Sequence, residues 1–163
     1  MGTFEEKLAS AIQFREAEKH EEARQLLLEL QGEFPDDPQV NYQCAWLHDL
    51  LGLEKEAIPF YEKAIRMGLK GDELKGALLG LGSTYRCIGE YQRSIDTCQQ
   101  AITLFPDSYE FNVFLGMAYY NIGEYAKAME LLLTSLADTS SHKGILRYRR
   151  AIRFYSDKLD QIW

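Results

Sequence analysis

The chain contains 163 residues, of which 46% are hydrophobic, 26% are charged and 12% are aromatic. This composition is typical of one compact domain or a short repeat array, and it excludes a disordered tail. The 18 basic and 25 acidic side chains leave a net charge of −7, the wrong sign for general nucleic-acid binding, so we expect no nucleic-acid partner. The least charged stretch, residues 111–123, is too short to span a bilayer, and no apolar leader opens the sequence. We therefore expect a cytoplasmic protein with no membrane partner.

A fixed period of 34 residues runs through the chain. A Leu-Gly pair followed by Tyr occurs twice at this spacing, as Leu81, Gly82, Tyr85 and as Leu115, Gly116, Tyr119. In the first half the same spacing separates small residues, namely Ala11 from Ala45 and Ala23 from Ala57. Three additional residues interrupt the period near residues 71–73. A constant period of this length predicts a helical repeat, in which each unit buries its apolar faces against the next.

These residues resemble the tetratricopeptide repeat family, whose 34-residue pattern combines Leu-Gly-x-x-Tyr with later Ala, aromatic and Pro positions. The resemblance implies an all-α fold, a right-handed superhelical α-solenoid of four helix hairpins. It divides a single domain, residues 1–163, into repeats at about 4–37, 38–71, 75–108 and 109–142. The third unit matches best, and the first lacks the Leu-Gly pair.

Turn residues support this register in chain order. Asp37 before Pro38 is typical of a helix N-cap with proline at the first helical position. A glycine falls at the predicted bend inside each of hairpins two, three and four: Gly52, Gly89 and Gly123. Pro59 conflicts with the pattern, because it lies inside the predicted second helix of unit two. We expect a kink there, or a helix that starts later.

The last segment, about residues 143–163, differs from the rest in charge. It carries six basic and two acidic side chains, a net of +4, which leaves −11 on the other residues. Its apolar residues recur at helical steps, in a stripe formed by Ile145, Tyr148, Ile152, Tyr155, Leu159 and Ile162. This pattern predicts a C-terminal amphipathic capping helix, which we favour over a membrane-surface or partner-docking helix. Capping alone does not explain Leu146 and Phe154, which fall on its charged side.

No motif for catalysis, cofactor binding or metal binding stands out. The three cysteines lack paired short spacings and indicate reduced thiols rather than a disulfide framework or a zinc site. Cys44 and His48 lie one helical turn apart, but they occupy core positions of the repeat, so packing is the favoured interpretation. The sequence therefore predicts a non-enzymatic protein that needs no cofactor and no metal.

The resemblance places the first helix of each hairpin along a concave groove, and the repeat register gives the positions expected to be exposed there. Aromatic, Met and Arg residues are enriched at protein-binding hot spots, so this groove is predicted to bind protein. Its residues are Leu8, Ile12, Arg15, Tyr42, Gln43, Trp46, Asp49, Leu79, Ser83, Arg86, Val113, Phe114, Met117, Tyr120 and Asn121. The sequence leaves open whether the groove is free or covered by the chain itself.

Co-chaperones of this family hold a C-terminal tail with a clamp of Lys, Asn and Arg. The matching positions here are Leu8, Ile12, Gln43, Gly76 and Gly80, so that clamp is absent. An apolar peptide or amphipathic helix, with an acidic group near Arg86, suits the predicted groove better.

The preferred function is therefore a protein-interaction scaffold. One alternative is self-association, either through Tyr42, Trp46 and Phe114, or through Leu146 and Phe154 with the arginines meeting the acidic body of another copy in a homodimer. Another is a regulatory or effector domain of a bacterial-type regulator, which is an analogy from the family.

Overall fold

The computed structural model describes residues 2–163, and within that range the chain forms nine α-helices and no β-strand. The helices are α1 (Phe4–Glu16), α2 (His20–Glu33), α3 (Pro38–Leu50), α4 (Glu54–Arg66), α5 (Gly71–Cys87), α6 (Tyr91–Leu104), α7 (Glu110–Asn121), α8 (Tyr125–Thr139) and α9 (Lys143–Tyr155). The all-helical prediction is confirmed. Within residues 2–163, each helix is too short or too polar to span a lipid bilayer.

The chain divides into two compact units, Met1–Ile88 and Gly89–Trp163. The first contains α1 to α5 and the second contains α6 to α9. The division falls in the turn after α5.

Local side-chain chemistry explains where the helices begin and turn. The Asp37 carboxylate accepts hydrogen bonds from the backbone N–H groups of Gln39 and Val40, both at 2.9 Å, with Pro38 at the first helical position. Gly52, Gly89 and Gly123 adopt φ of 69°, 84° and 83°, a left-handed conformation that glycine reaches without a Cβ clash. The predicted cap and bends are therefore confirmed.

Pro59 lies inside α4, which begins five residues earlier at Glu54. The expectation of a later helix start is wrong. Proline removes the N–H that would bond to the carbonyl of Lys55, and its ring presses on the preceding turn. Pro59 and Lys55 are both exposed, so water can reach that carbonyl.

The core of the first unit consists of two clusters of buried residues. One packs α1, α2 and α3 together around Leu27, Leu30 and Leu47, and the other packs α3, α4 and α5 around Tyr61 and Leu81. In the second unit a smaller cluster joins α6 and α7, and it comprises Ile95, Cys98, Leu115 and Ala118. The small residues of the 34-residue period are buried in both units, because they let neighbouring helices approach closely.

The three additional residues near 71–73 lengthen α5. This helix is the longest of those described, at 17 residues, and it begins at Gly71 with φ of 57°. Further along α5, two glycines leave room for tyrosine side chains from neighbouring helices. Tyr42 lies against Gly76, and Tyr61 lies against Gly80.

The last helix is shorter than predicted. α9 ends at Tyr155, so Leu159 and Ile162 lie outside it, and the predicted extent of 143–163 is wrong. The Ser156 hydroxyl donates a 2.8 Å hydrogen bond to the carbonyl of Arg153, an arrangement that competes with continuation of the helix. No residue of α9 is buried.

Candidate protein-binding face

In the first unit, the predicted groove residues lie on α1, α3 and α5, and they differ in depth. Leu8, Arg15, Tyr42 and Gln43 are only 5–7% exposed, so the exposure expected of them is wrong. Trp46, by contrast, is 39% exposed and is the large apolar side chain that this face offers to a partner. We use the name Trp46 platform for Trp46 together with Arg15, Tyr42 and Gln43.

Two neighbours hold the indole of Trp46 in place. The Arg15 guanidinium lies over the indole at 3.5 Å from the ring centroid, a cation–π contact between α1 and α3. On the same helix the Tyr42 ring lies 5.7 Å away, centroid to centroid. Gln43 accepts a hydrogen bond from Arg15 through its side-chain oxygen.

The guanidinium of Arg15 is buried with limited charge compensation. Its nearest carboxylate is that of exposed Glu16, at 3.8 Å. Burial lowers the pKa of Arg15, and Glu16 opposes this shift. A buried cation bonded to a neutral amide and stacked on a ring is costly to move, which fixes the geometry of the platform.

One turn further along α3, Asp49 organises a second polar group. Its carboxylate accepts hydrogen bonds from the Tyr61 hydroxyl at 2.7 Å and the Thr84 hydroxyl at 2.9 Å. Burial raises the pKa of Asp49, and these two hydrogen bonds oppose the shift. Asp49 thereby links α3, α4 and α5.

An open depression of about 180 Å³ lies beside this group. Its lining consists of Asp49, Glu54, Ser83, Thr84 and Cys87. The sequence had selected Asp49 and Ser83 only. Glu54, Thr84 and Cys87 were missed because the repeat register marks one face of the first helices and gives no account of the α4 start or the α5 end.

The other predicted residues of the first unit are half-buried: Ile12, Leu79, Ser83 and Arg86. Ile12 packs against the core around Leu27 and Leu47. None of these four residues adds a fully exposed side chain to the predicted groove.

In the second unit the predicted residues lie together on α7. Met117 is 39% exposed and Tyr120 is 63% exposed, and Asn121 is exposed at the helix end. Val113 and Phe114 are half-buried, and Phe114 packs against the core cluster of this unit. The Tyr120 ring lies 5.1 Å from that of Tyr125 on α8. This α7 patch is mostly apolar.

The described residues hold no cluster of three or more metal-ligating side chains. Cys44 is buried, and burial raises the pKa of its thiol to about 12. The Nδ1 atom of His48 lies 2.6 Å from the backbone carbonyl oxygen of Cys44. This arrangement fits packing within the helix better than a shared ligand.

The family model described as tetratrico peptide repeat matches residues 38–159. Among curated proteins, the chain is similar to the BBSome complex member BBS4 of Bos taurus, with 23% identity over 81% of this chain and 34% of the relative. The chain thus spans about a third of the length of that relative.

Solved structures also resemble the chain. It superposes on one chain in the structure of the APC/C hetero-tetramer Cut9–Hcn1 with a TM-score of 0.77 and 18% identity, covering 93% of this chain and 30% of that chain. MamA gives a TM-score of 0.76 with 20% identity over 95% of this chain and 86% of MamA. YrrB, described as a TPR protein with an unusual peptide-binding site, gives a TM-score of 0.73 with 16% identity, covering 94% of this chain and 80% of YrrB. At these identities the likeness shows the fold.

Proposed function

The chain belongs to the tetratricopeptide repeat family, whose members are typically non-catalytic protein-interaction scaffolds, and we propose that it binds an apolar peptide or helix of another protein on the Trp46 platform. The binding group is the exposed part of the Trp46 indole. Arg15 and Tyr42 orient that indole, and Gln43 holds Arg15 through a hydrogen bond.

The observation that carries this proposal is an exposed ring held rigidly before any partner arrives. Trp46 is 39% exposed, yet a guanidinium 3.5 Å from its centroid and a neighbouring tyrosine ring restrict its rotamers. A side chain that is already ordered loses less conformational entropy on binding. Tryptophan and arginine are also the residue types that dominate binding hot spots.

The surroundings of the platform favour an apolar contact over a charged one. The Arg15 cation is covered, with 6% of its surface exposed, so it offers little to an acidic group of a partner. The α7 patch is apolar as well, and Met117 adds a flexible side chain that adapts to different partners. We expect Val113, Phe114, Met117, Tyr120 and Asn121 to form a second contact region in the other unit.

The test begins with a randomised peptide library displayed on phage, selected on the immobilised full chain. Enriched peptides are then synthesised, and their affinities are measured for the wild-type chain and for Trp46→Ala. We expect enrichment of aromatic or aliphatic anchors and a loss of affinity of about 2 kcal/mol in the variant, the size of a hot-spot truncation.

Trp163→Ala is the matched control, because it removes the other tryptophan, which is 77% exposed and lies beyond α9. Its affinity for the selected peptides should equal that of the wild type. Peptides that bind Trp46→Ala as tightly as the wild type, or a selection without enrichment, would reject the platform as the binding site.

A further inference from the structure

We propose that the outer face of α9 binds the outer face of α2 in a second copy of this chain, a weak, salt-sensitive contact that is separate from the Trp46 platform. The basis is a pair of exposed helix faces with opposite charge and the same spacing of residues.

One side of α9 is used within its own unit. Arg149 donates a 2.7 Å hydrogen bond from Nε to the carbonyl of Ala137, and Arg153 donates one of 2.9 Å to the carboxylate of Asp138. Both acceptors belong to α8. These two arginines attach α9 to α8.

The other side of α9 carries cations without acidic partners. Lys143, Arg147, Arg150 and Phe154 follow one another at steps of four, three and four, which places them on one stripe of the helix. Among residues 2–163, no ion pair involves the three cations of this stripe. Phe154 is 51% exposed, and Leu146 beside the stripe is 43% exposed.

The apolar end of the stripe is stiffened by its neighbours. The Trp163 ring lies 5.8 Å from that of Phe154, and the Tyr155 ring lies 5.1 Å away. The ammonium of Lys158 lies 4.8 Å from the Phe154 centroid. An ordered, exposed aromatic group beside unpaired cations is the composition of a binding surface.

The outer face of α2 has the complementary chemistry. Glu21, Gln25, Leu28 and Gly32 follow the same steps of four, three and four. Leu28 is 58% exposed, and a Cβ built on Gly32 has no atom within 4 Å.

The N-terminal part of that face forms an open depression of about 320 Å³. It is lined by Glu21, Glu22, Arg24, Gln25 and Leu28, so its lining contains two carboxylates and one guanidinium.

Parallel alignment of the two stripes brings unlike groups together. Lys143 then faces Glu21, and Arg147 faces Gln25 in the depression that Glu22 also lines. Arg150 faces Leu28, and Phe154 reaches the open space at Gly32. The opposite direction would place the Phe154 ring on the Glu21 carboxylate. One pair of helix faces buries less than the roughly 1,000 Å² of a stable interface, so association should be weak.

The charge balance favours a second copy over an anionic membrane. Residues outside 143–163 carry a net of −11, which an anionic bilayer would repel. The same negative charge attracts the basic stripe of another copy. Because the contacting charges are exposed, added salt should weaken the contact.

The test uses charge reversal in the full chain, followed by sedimentation velocity at low and high salt. Wild-type mass should rise with protein concentration at low salt and fall when salt is added. Arg147→Glu/Arg150→Glu and Glu21→Lys/Glu22→Lys should each weaken association by about tenfold or more. An equimolar mixture of the two variants should associate again, because each supplies the charge that the other needs.

Lys55→Glu/Lys127→Glu is the matched control for the arginine reversal, since it makes the same change in net charge at exposed lysines elsewhere and should leave association unchanged. Circular dichroism checks that all variants keep their helicity. A wild-type chain that stays monomeric at low salt, reversal variants that associate normally, or a mixture that fails to associate would each overturn the proposal.

Two further measurements separate this contact from other possibilities. Trp46→Ala should associate like the wild type, because the α9–α2 contact does not involve the Trp46 platform. Loss of the self-association proposal would therefore leave the proposed peptide binding on the Trp46 platform standing. A chain that remains monomeric but sediments with phosphatidylserine vesicles would assign the α9 stripe to a membrane and would also overturn the proposal.

Discussion

Helices α3 and α9 have the same length, 13 residues each, but they differ in how far the rest of the protein buries them. Seven residues of α3 are buried, whereas no residue of α9 is. Asn41 on α3 donates from its side-chain nitrogen to the carbonyls of Pro35 and Asp37, while its side-chain oxygen is buried without a hydrogen-bond partner among the described residues. On α9, three cations and a phenylalanine remain on the surface.

This comparison shows how one repeat architecture produces two kinds of surface. A helix with neighbours on several sides bonds most of its buried polar groups to those neighbours, and side chains such as Arg15 then hold what the helix still exposes. A helix attached on one side, such as α9, leaves its outer residues exposed. The following predictions test the difference between the ordered interior and the exposed surface.

Thiol reactivity should give the largest effect. Burial raises the pKa of Cys44 to about 12 and that of Cys98 to about 11, so little thiolate forms at either site below those values. Cys87 is exposed. We expect Cys87 to react with a thiol reagent at pH 8 about a thousandfold faster than the two buried thiols.

The same experiment examines the prediction of a single domain. With Cys87 replaced by serine, Cys44 reports on the first unit and Cys98 on the second. Equal midpoints for release of both thiols in a urea titration would support one cooperative domain. Release of one thiol well before the other would contradict it.

Substitution at a crowded glycine should give the next effect. A Cβ on Gly80 would lie 2.5 Å from Cζ of Tyr61. The Tyr61 side chain cannot move aside easily, because it is 2% exposed and its hydroxyl donates a hydrogen bond to Asp49. Gly80→Ala should therefore destabilise the chain by about 2 kcal/mol through overpacking. Gly32→Ala is the control, because open space surrounds that position, and it should stabilise α2 by about 0.5–1 kcal/mol. Denaturant unfolding measures both, and equal changes would contradict the packing of Tyr61 against α5.

The smallest effect is a pH dependence at Asp49. Burial raises its pKa above the ordinary 3.8, so the folded state favours the protonated carboxyl. The contribution of this group to stability is present below pH 3.8 and is lost as pH rises through the raised value. Asp49→Asn cannot ionise, so its stability relative to the wild type should increase with pH across that window. Unfolding measured at several pH values checks the direction, and a flat or falling difference would contradict it.

The 34-residue period was sufficient to predict the helical fold, the Asp37 cap and the glycine bends, because these depend on local chemistry and a regular repeat. The burial of individual residues in the predicted groove could not be predicted from this period. Arg15 and Gln43 are 28 residues apart, and their burial depends on a hydrogen bond between α1 and α3 that periodicity does not encode.

Two other differences have equally physical causes. Tyr42 is buried because Gly76 leaves a space for it on α5, a pairing between helices that lies outside the repeat pattern. The end of α9 was missed because apolar spacing continues to Ile162, while the Ser156 hydroxyl bonds to the Arg153 carbonyl where the helix stops.

The most direct test of the central claim is the emission of Trp46 itself. In a chain carrying Trp163→Phe, Trp46 is the single tryptophan, and its indole is both exposed and held by Arg15. Titration with a library-selected peptide should give a saturable blue shift, as the partner covers the ring and excludes water. A peptide that binds by calorimetry without changing the Trp46 emission would contradict the account.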